Sequence, residues 1–442
     1  MTPLLPKIAG IFRGEDLKAR AIRGSTWTII GYSVSQVTRL GSNLILTRIL
    51  FPEAFGLMAI IQVFMQGLAM FSDMGISPSI IQNKRGNDSH FLNTAWTIQI
   101  IRGLFLFMSS VLMAVPLASF YDSPALIQLL PVAGLSAVIS GFNPTKLITA
   151  NRNLALGWNS IVEIVSQLLS VIVLIALALS FHSVWALVIG GLISSLIKLV
   201  LIHKLVPGPK NAFAWEKSSL GALISFGKWV FFSSVIGFFV QQGDKLVLAA
   251  FMTNAELGVY SIAFVLASAA WALNAKLNQL ILFPIYAELQ DLAADELKPK
   301  IYKARVVICG VLLPPLLLLI VFGNELVTVL YDERYWNAGW MVQVLSAGYA
   351  IAIGTNIGPF HLGQGKSKLF MVLITTKAVV LGLSMYFGGL AYGMTGVVIG
   401  VAAANYLFYL VSIGVYQYFG LWLWKLDLIV LSLILAACAL AL

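Results

Sequence analysis

A succession of long apolar segments runs through this chain of 442 residues. Most segments have about 20 residues, the length that an α-helix needs to cross the hydrocarbon core of a bilayer. They predict twelve membrane-spanning helices, at residues 24–50, 54–75, 93–118, 125–148, 157–180, 184–203, 222–252, 256–285, 304–323, 338–362, 369–389 and 394–417. A shorter apolar segment, 428–442, predicts a partial thirteenth helix or an interfacial segment. We therefore expect an all-α integral membrane protein, which excludes a soluble enzyme and a receptor with a large ectodomain.

The composition excludes several kinds of chemistry. Apolar residues make up 59% of the chain and charged residues 10%, and two cysteines, Cys309 and Cys438, cannot form a disulfide framework. The four histidines lack metal-ligand spacing, and we find no glycine-rich phosphate loop, no nucleophile paired with a base and no acidic metal cluster. The N-terminal residues are too basic for a signal peptide. The sequence thus predicts a protein that is not an enzyme, with no cofactor and no metal.

The basic residues report the orientation of the chain. The net charge of +10 would suggest nucleic acid as a partner of a soluble protein, but in a membrane protein it first reflects the loops, so we expect no nucleic-acid partner. If the twelve spans alternate, 20 basic residues, Arg305 among them, fall in the connections on one side. Only Arg48 and Arg334 fall in those on the other. Because cytoplasmic loops are rich in lysine and arginine, this asymmetry predicts a cytoplasmic N-terminus.

The two halves of the chain resemble each other. At an offset of 202 residues or of 210 residues, identical residues recur near matching helix ends: Trp27 and Trp229, Gly41 and Gly243, Gly56 and Gly258, and Tyr121-Asp122 and Tyr331-Asp332. With six helices in each half, such repeats are parallel and related by an axis along the membrane normal. We expect two six-helix lobes around a central cavity: an N-terminal lobe at 1–208, a C-terminal lobe at 209–425, and the additional partial helix at 426–442.

Seven charged residues lie deep within predicted spans, where each costs roughly 3 kcal/mol unless it is paired or hydrated. The bases are Arg39, Arg102, Lys245, Lys276 and Lys377, and the acids are Glu163 and Asp244. The acids cannot neutralise all the bases, so we predict a cationic cavity that binds an anionic substrate. The alternative is that these charges form interhelical salt bridges or gates.

Glu163 has two interpretations of its own. A carboxyl group at low dielectric can carry a proton, so Glu163 is a candidate for coupling transport to a proton gradient. A salt bridge from Glu163 to Arg39 or Arg102 is the other interpretation. Since no site for ATP is present, we expect an ion gradient of H⁺ or Na⁺, or the substrate gradient, to supply the driving force.

Several motifs resemble the polysaccharide transporter family, the Wzx-like and colanic-acid-exporter-like branch of the multidrug/oligosaccharidyl-lipid/polysaccharide exporter superfamily. They are Leu46–Ile60, Phe71–Lys84, Leu92–Trp96, Asn151–Gly157, Gly243–Phe264 and Phe283–Leu289. The resemblance implies a flippase that carries an undecaprenyl-diphosphate-linked oligosaccharide from the cytoplasmic to the outer face of the bacterial inner membrane. It also implies that two lobes rock about a cationic cavity. The family motif Pro52-Glu53-Ala54-Phe55-Gly56 resembles a structural turn rather than a substrate site.

One departure from the family and three alternatives remain open. Members commonly have fourteen helices, whereas this sequence stops within the thirteenth, which leaves the route of the lipid tail undetermined. The alternatives are an ion-coupled exporter of drugs or other small molecules, a membrane-embedded polysaccharide polymerase or ligase, and a scaffold for polysaccharide assembly proteins. For a drug exporter of cationic compounds we expect an acidic cavity, and for a polymerase a large external loop. The expected partners are the lipid-linked oligosaccharide, membrane lipids and other assembly proteins.

Overall fold

The computed structural model describes residues 17–153, 155, 157–278, 282, 286, 294–355, 360 and 367–441. Only the backbone is described at residues 17–30, 294–295 and 367, and at eight positions between 226 and 240. The N-terminal cations Lys7 and Arg13, the ends of the predicted spans 256–285 and 338–362, and most of the motif Phe283–Leu289 lie outside the described residues.

The described chain is helical from one end to the other. Its helices are α1 (Leu17–Ile49), α2 (Pro52–Phe71), α3 (Ile76–Gln82), α4 (Ser89–Phe120), α5 (Leu126–Gly141), α6 (Lys146–Arg152), α7 (Gly157–Phe181), α8 (Val184–Leu205), α9 (Lys217–Phe251), α10 (Asn254–Leu277), α11 (Ala294–Leu330), α12 (Ala338–Thr355), α13 (Ser367–Tyr418) and α14 (Trp424–Ala441), with a 3₁₀ turn at Glu333–Tyr335. The prediction of an all-α membrane protein is confirmed.

The described residues contain fewer candidate membrane-spanning helices than the sequence predicts. Among the described residues, nine helices are long and apolar enough to cross a membrane, or ten if α5 and α6, which meet at 56°, form one bent span. The helix α14 is among the nine. The count of twelve spans and a partial thirteenth stays a prediction.

Helix α13 contains two predicted spans, 369–389 and 394–417. Its helical geometry breaks at Tyr392 and Gly393, and Gly393 has φ +56° and ψ −137°, a conformation that glycine adopts most readily. Gly388 and Gly396 are so close that a Cβ atom on either would lie about 2 Å from the carbonyl oxygen of the other. α13 therefore consists of two arms, which we call the first and second arms, folded back on each other at Gly393.

Two helix starts show why the chain turns where it does. The Thr253 hydroxyl accepts a hydrogen bond from the backbone N–H of Glu256, and the Glu256 carboxylate accepts one from the backbone N–H of Thr253, which forms a capping box before α10. At α4 the Asp88 carboxylate accepts from the backbone N–H of His90. These residues satisfy the N–H groups that helix starts leave unpaired, so the connections can stay short.

Packing divides the chain into two compact units. Unit 1 comprises residues 1–50 and 61–235, and unit 2 comprises 51–60 and 236–442. Helices α2 and α9 thus each contribute residues to both units. The lobe boundaries at 208 and 425 follow the repeat in the sequence and stay a prediction.

Each unit has its own helix pairs and its own core. In unit 1, α4 packs against α5, α7 against α8 and α1 against α7. A buried cluster at one end includes Ile80, Phe91 and Leu223. In unit 2, α12 lies against α10, α11, α13 and α14, and the core includes Ile351 of α12 and Val430 of α14. Helix α14 is therefore packed into unit 2 rather than appended to it.

Two glycines that the repeat offset of 202 matches make reciprocal contacts within unit 2. A Cβ on Gly56 would lie 1.8 Å from the carbonyl oxygen of Asn254, and a Cβ on Gly258 would lie 1.9 Å from that of Pro52. Pro52 and Asn254 are themselves separated by 202 residues. The starts of α2 and α10 therefore cross through equivalent positions, and the glycines permit this approach because they lack a side chain. The family motif ending in Gly56 has a packing role here.

Candidate functional site

Lys377, on the first arm of α13 in unit 2, lies between aromatic rings. Its ammonium nitrogen is 4.9 Å from the ring centroid of Trp271 on α10 and 5.6 Å from that of Phe408 on the second arm. Trp271 in turn stacks on Tyr349 of α12, with centroids 6.1 Å apart. An aromatic face attracts an ammonium group but carries no net charge. The positive charge of Lys377 is therefore held in place without being neutralised.

Lys245 of α9 is held in the same way, next to a buried acid. Its ammonium nitrogen is 4.4 Å from the ring centroid of Phe264 and donates a hydrogen bond to the Gln242 side-chain oxygen at 3.3 Å. Asp244 is 6% exposed, and its carboxylate accepts a hydrogen bond from the Tyr260 hydroxyl at 2.8 Å. Within the described part of the chain, neither Asp244 nor Lys245 forms an ion pair with a residue on another helix.

Lys377, Lys245 and Asp244 each contact an aromatic residue of α10. Tyr260, Phe264 and Trp271 occur four and seven residues apart on α10, a spacing that places them on one helix face. From Phe264 to Trp271 the helix rises about 10 Å, at roughly 1.5 Å per residue. We call these three residues the aromatic stripe of α10. The stripe receives cations from α9 and from α13, so it arranges positive charge along the interior of unit 2.

Lys276 lies at the end of the same helix. It is in the last turn of α10 and half-buried, where a cation interacts favourably with the helix dipole. No ion pair to Lys276 occurs among the residues that the structure describes. Of the five predicted cavity cations, Lys245, Lys276 and Lys377 thus lie in unit 2.

In unit 1, Arg102 of α4 binds the end of another helix. Its Nε donates to the Ser72 hydroxyl at 2.9 Å, and its Nη2 donates to the carbonyl oxygen of Ala69, near the C-terminus of α2. These bonds satisfy a carbonyl that the helix end leaves unpaired and place positive charge at the negative end of the helix dipole. Arg102 is half-buried and has a structural role in addition to any contact with substrate.

The two remaining predicted site residues, Arg39 and Glu163, are both exposed in unit 1. The predicted salt bridge from Glu163 to Arg39 or Arg102 does not occur in the described structure. The role of Glu163 in coupling stays a prediction.

Unit 2 also contains a buried ion pair that the sequence did not predict. Arg305 of α11 is 2% exposed, and its Nη2 lies 2.5 Å from the Asp427 carboxylate of α14 and also donates to the carbonyl oxygen of Gly354. The Tyr409 hydroxyl and the Trp422 indole N–H donate to the same carboxylate, at 2.9 and 3.0 Å. The structure thus corrects the placement of Arg305 among the loop cations. The sequence does contain one indication of this pair: Arg305 and Asp427 have opposite charges, and each lies near the start of an apolar segment.

A family model for polysaccharide biosynthesis proteins matches residues 45–339. Lipopolysaccharide biosynthesis protein WzxC of Escherichia coli (strain K12) is 24% identical over 400 residues, which is 87% of this chain and 78% of WzxC. Succinoglycan biosynthesis transport protein ExoT of Rhizobium meliloti (strain 1021) is 23% identical over 383 residues, 84% of this chain and 74% of ExoT.

A solved structure supports the same relationship at the level of the fold. Lipid II flippase MurJ, in an inward closed conformation, superimposes with a TM-score of 0.67 at 12% identity, over 94% of this chain and 92% of MurJ. At this identity the likeness concerns the fold alone. The family match covers more than half of the sequence and includes the crossing glycines and the aromatic stripe of α10, and the chain accordingly belongs to the family of polysaccharide biosynthesis proteins.

Proposed function

We propose that this protein is a flippase that moves a lipid-linked oligosaccharide across a membrane during polysaccharide biosynthesis. The names of WzxC and ExoT place those relatives in lipopolysaccharide biosynthesis and succinoglycan transport, and MurJ is a lipid II flippase. We further propose that the carrier lipid is undecaprenyl diphosphate and that the membrane is the bacterial inner membrane. The protein acts by transport and not by forming or breaking a glycosidic bond.

The observation that carries this proposal is the way in which unit 2 holds its cations. Lys245 and Lys377 lie over aromatic rings, and neither forms a salt bridge within the described part of the chain. Lys245 also interacts with the adjacent Asp244 carboxylate, so the charge that remains most available to an anion is that of Lys377. A diphosphate that leaves water loses its hydration, and nearby positive charge replaces part of that lost interaction. The free-energy cost of keeping a lysine without a counter-ion in the membrane falls in turn when the anion binds. Mutual compensation of this kind favours an anionic substrate over a cationic drug.

The direction of transport and its energy source are part of the same proposal. The excess of basic residues on one side supports a cytoplasmic N-terminus, and the substrate binds on that side before it is released on the outer face. Asp244 is the better-placed candidate for coupling to H⁺ or Na⁺, because it is buried beside Lys245, whereas Glu163 is exposed. Alternating access of the two lobes is the mechanism we propose.

The test is flipping in proteoliposomes. The purified full chain is reconstituted with a fluorescent undecaprenyl-diphosphate oligosaccharide, and its movement between leaflets is followed with and without a proton or sodium gradient. We expect Lys377→Met to slow flipping at least about tenfold, the equivalent of one hydrogen bond to a charged group.

Lys368→Met is the matched control. Lys368 is exposed at the start of the same helix α13, so its replacement removes the same charge without touching the aromatic rings. Unchanged flipping by Lys377→Met, with equal amounts of inserted protein, would contradict the cationic site. Movement of a cationic drug without movement of the oligosaccharide would favour the drug exporter, and sugar transfer that depends on the protein would favour an enzyme.

A further inference from the structure

Unit 1 contains two cavities that share part of their walls. Each has a volume of about 480 Å³, which falls within the range of small-molecule sites. Asp73 and Arg102 line both of them. Neither cavity includes any of the unit 2 residues discussed above. The pair therefore forms a candidate site of its own, centred on Arg102.

The first cavity, which we call the apolar chamber, lies between α4 and the early part of α9. Its walls include Ile101 and Phe105 of α4 and Ile224 and Phe231 of α9, all of which are large apolar residues that remain exposed. In a membrane protein, an exposed apolar wall of this kind suits contact with a hydrocarbon chain. The apolar chamber is thus accessible to a hydrocarbon chain from the bilayer.

The second cavity, the polar chamber, is lined by different chemistry. Gln66, Ser77, Gln99 and Ser136 contribute amide and hydroxyl groups, together with the backbone at the close approach of α4 and α5. Such groups both donate and accept hydrogen bonds, as the hydroxyl groups of a sugar require. A single amphiphile with a polar head and one apolar chain matches the two chambers together.

Arg102 at the junction has hydrogen-bonding capacity to spare. Its Nε and Nη2 are occupied by Ser72 and Ala69, whereas its Nη1 has no hydrogen-bond partner among the described residues. Asp73 does not neutralise it by an ion pair: the Asp73 carboxylate accepts instead from the backbone N–H of Gly75 at 2.9 Å. The guanidinium is therefore fixed in orientation by the end of α2 and presents an N–H group to an anionic oxygen, a geometry suited to phosphate.

We propose that these chambers bind the prenyl diphosphate end of the lipid-linked substrate, a proposal that rests on the flippase function above. The part of the prenyl chain next to the diphosphate occupies the apolar chamber, a phosphate oxygen accepts from Arg102, and the first sugar occupies the polar chamber. One apolar chamber suits one chain, which favours a prenyl diphosphate over a two-chain phospholipid.

Photolabelling tests this assignment without requiring transport. The purified full chain in nanodiscs is exposed to a prenyl diphosphate that carries a diazirine in its chain, and the labelled peptides are identified by mass spectrometry. We expect labels on the α4 peptide near Phe105 and on the α9 peptide near Ile224. A diazirine phosphatidylglycerol serves as the competing probe and should label these peptides far less.

Two variants on α4 give a matched comparison. Ile101→Trp adds bulk to the wall of the apolar chamber and should reduce labelling several-fold, because a narrowed cavity holds the chain less well. Leu104→Trp places the same side chain outside the chamber, and the two residues are 49% and 48% exposed in the native protein, so this variant should label normally. Arg102→Gln should also weaken labelling by prenyl diphosphate while labelling by an uncharged prenyl alcohol is retained.

The possible outcomes separate this proposal from the flippase function. Labels elsewhere, equal labels with phosphatidylglycerol, or full labelling of Ile101→Trp would overturn the chambers even if flipping in proteoliposomes were normal. Labelling of the expected peptides that Ile101→Trp reduces would support the chambers, and an absence of flipping by the same preparation would then count against the transport function alone.

Discussion

In unit 1 the guanidinium of Arg102 donates to a serine hydroxyl and a backbone carbonyl, whereas in unit 2 the ammonium groups of Lys245 and Lys377 lie over aromatic rings. Hydrogen bonds from a planar guanidinium fix its orientation, whereas an ammonium group over a ring keeps freedom to turn. The contrast indicates that unit 1 fixes one cation by hydrogen bonds at a helix end, and that unit 2 holds its cations against the aromatic stripe of α10.

Unit 2 also contains the pair formed by Arg305 and Asp427, in which two opposite charges meet, and this pair shows how a charge with a structural role is held in this fold. Three groups converge on the pair: the Gly354 carbonyl oxygen, the Tyr409 hydroxyl and the Trp422 indole N–H. Lys245 and Lys377 have no such carboxylate partner among the described residues. The partner of a charged residue therefore distinguishes the two roles: a charge with a structural role is paired with an opposite charge, and a charge available to substrate lies over an aromatic ring.

The largest expected effect comes from breaking the buried pair. Asp427→Ala leaves Arg305 as an unpaired buried charge and deprives Tyr409 and Trp422 of their acceptor, so we expect a loss of about 3–5 kcal/mol in the free energy of unfolding. The midpoint of thermal unfolding in detergent measures it. The double variant Arg305→Met/Asp427→Leu removes both charges and should recover most of the loss. An Asp427→Ala protein that unfolds like the native one would show that the pair does not stabilise unit 2.

The crossing glycines give the next effect. Gly258→Ala forces a methyl group against the carbonyl of Pro52, so we expect a loss of about 1–3 kcal/mol from overpacking. Gly41→Ala and Gly243→Ala are the matched controls, since this pair also recurs at an offset of 202 but has no atom within 4 Å of a new Cβ. The controls should be neutral or slightly stabilising, because alanine favours helix. Equal losses in all three variants would contradict the assignment of the crossing.

A smaller effect compares the two ways of holding a cation. We expect Trp271→Leu in unit 2 and Ser72→Ala in unit 1 each to cost about 1 kcal/mol in the free energy of unfolding. Double-mutant cycles with Lys377→Met and Arg102→Met separate each pairwise interaction from general packing. Cycles in which neither pair shows coupling would remove the distinction between the units.

The smallest effect concerns a contact outside the membrane in unit 1. Glu216, just before α9, accepts hydrogen bonds from Arg85 and from the hydroxyls of Ser219 and Ser218, which lower the pKa of its carboxyl from 4.5 to about 2. A lowered pKa stabilises the folded state above the unfolded value of 4.5, and this contribution disappears as the pH falls towards 2.

Glu216→Gln measures this contribution through its melting temperature. The difference from the native protein should be slight, constant above about pH 5, and should shrink at acid pH and in about 1 M salt, because exposed charges are screened. A difference that grows at acid pH would have the wrong sign for a lowered pKa.

Local features of the chain were predictable because they depend on nearby residues. Most of the predicted spans lie largely within described helices, and the joint between the spans 369–389 and 394–417 lies at Gly393, where the backbone turns. The offset that matches Gly56 with Gly258 also anticipates a relation between α2 and α10. The offset does not show that Gly56 and Gly258 lie at a close helix contact while Gly41 and Gly243 do not, because a match in sequence does not reveal which atoms pack against a residue.

The partners of the charged residues were not predictable. Arg305 and Asp427 are 122 residues apart, and Arg102 and Ser72 are 30 apart, so no local pattern connects them. Sorting cations by hydropathy assigns Arg305 to a loop because it lies next to Lys303 and Lys300. The aromatic stripe of α10 has a recognisable helical spacing, but nothing in that spacing indicates that cations from two other helices lie over it.

The sequence by itself determined that this protein is a helical membrane protein with more bases than acids in its apolar segments, because segment length, helix periodicity and charge are properties of the chain alone. Only the tertiary structure decided which of those charges are neutralised. That depends on which helix faces present a carboxylate, a carbonyl or an aromatic ring to each cation, and these faces meet only when distant segments pack together.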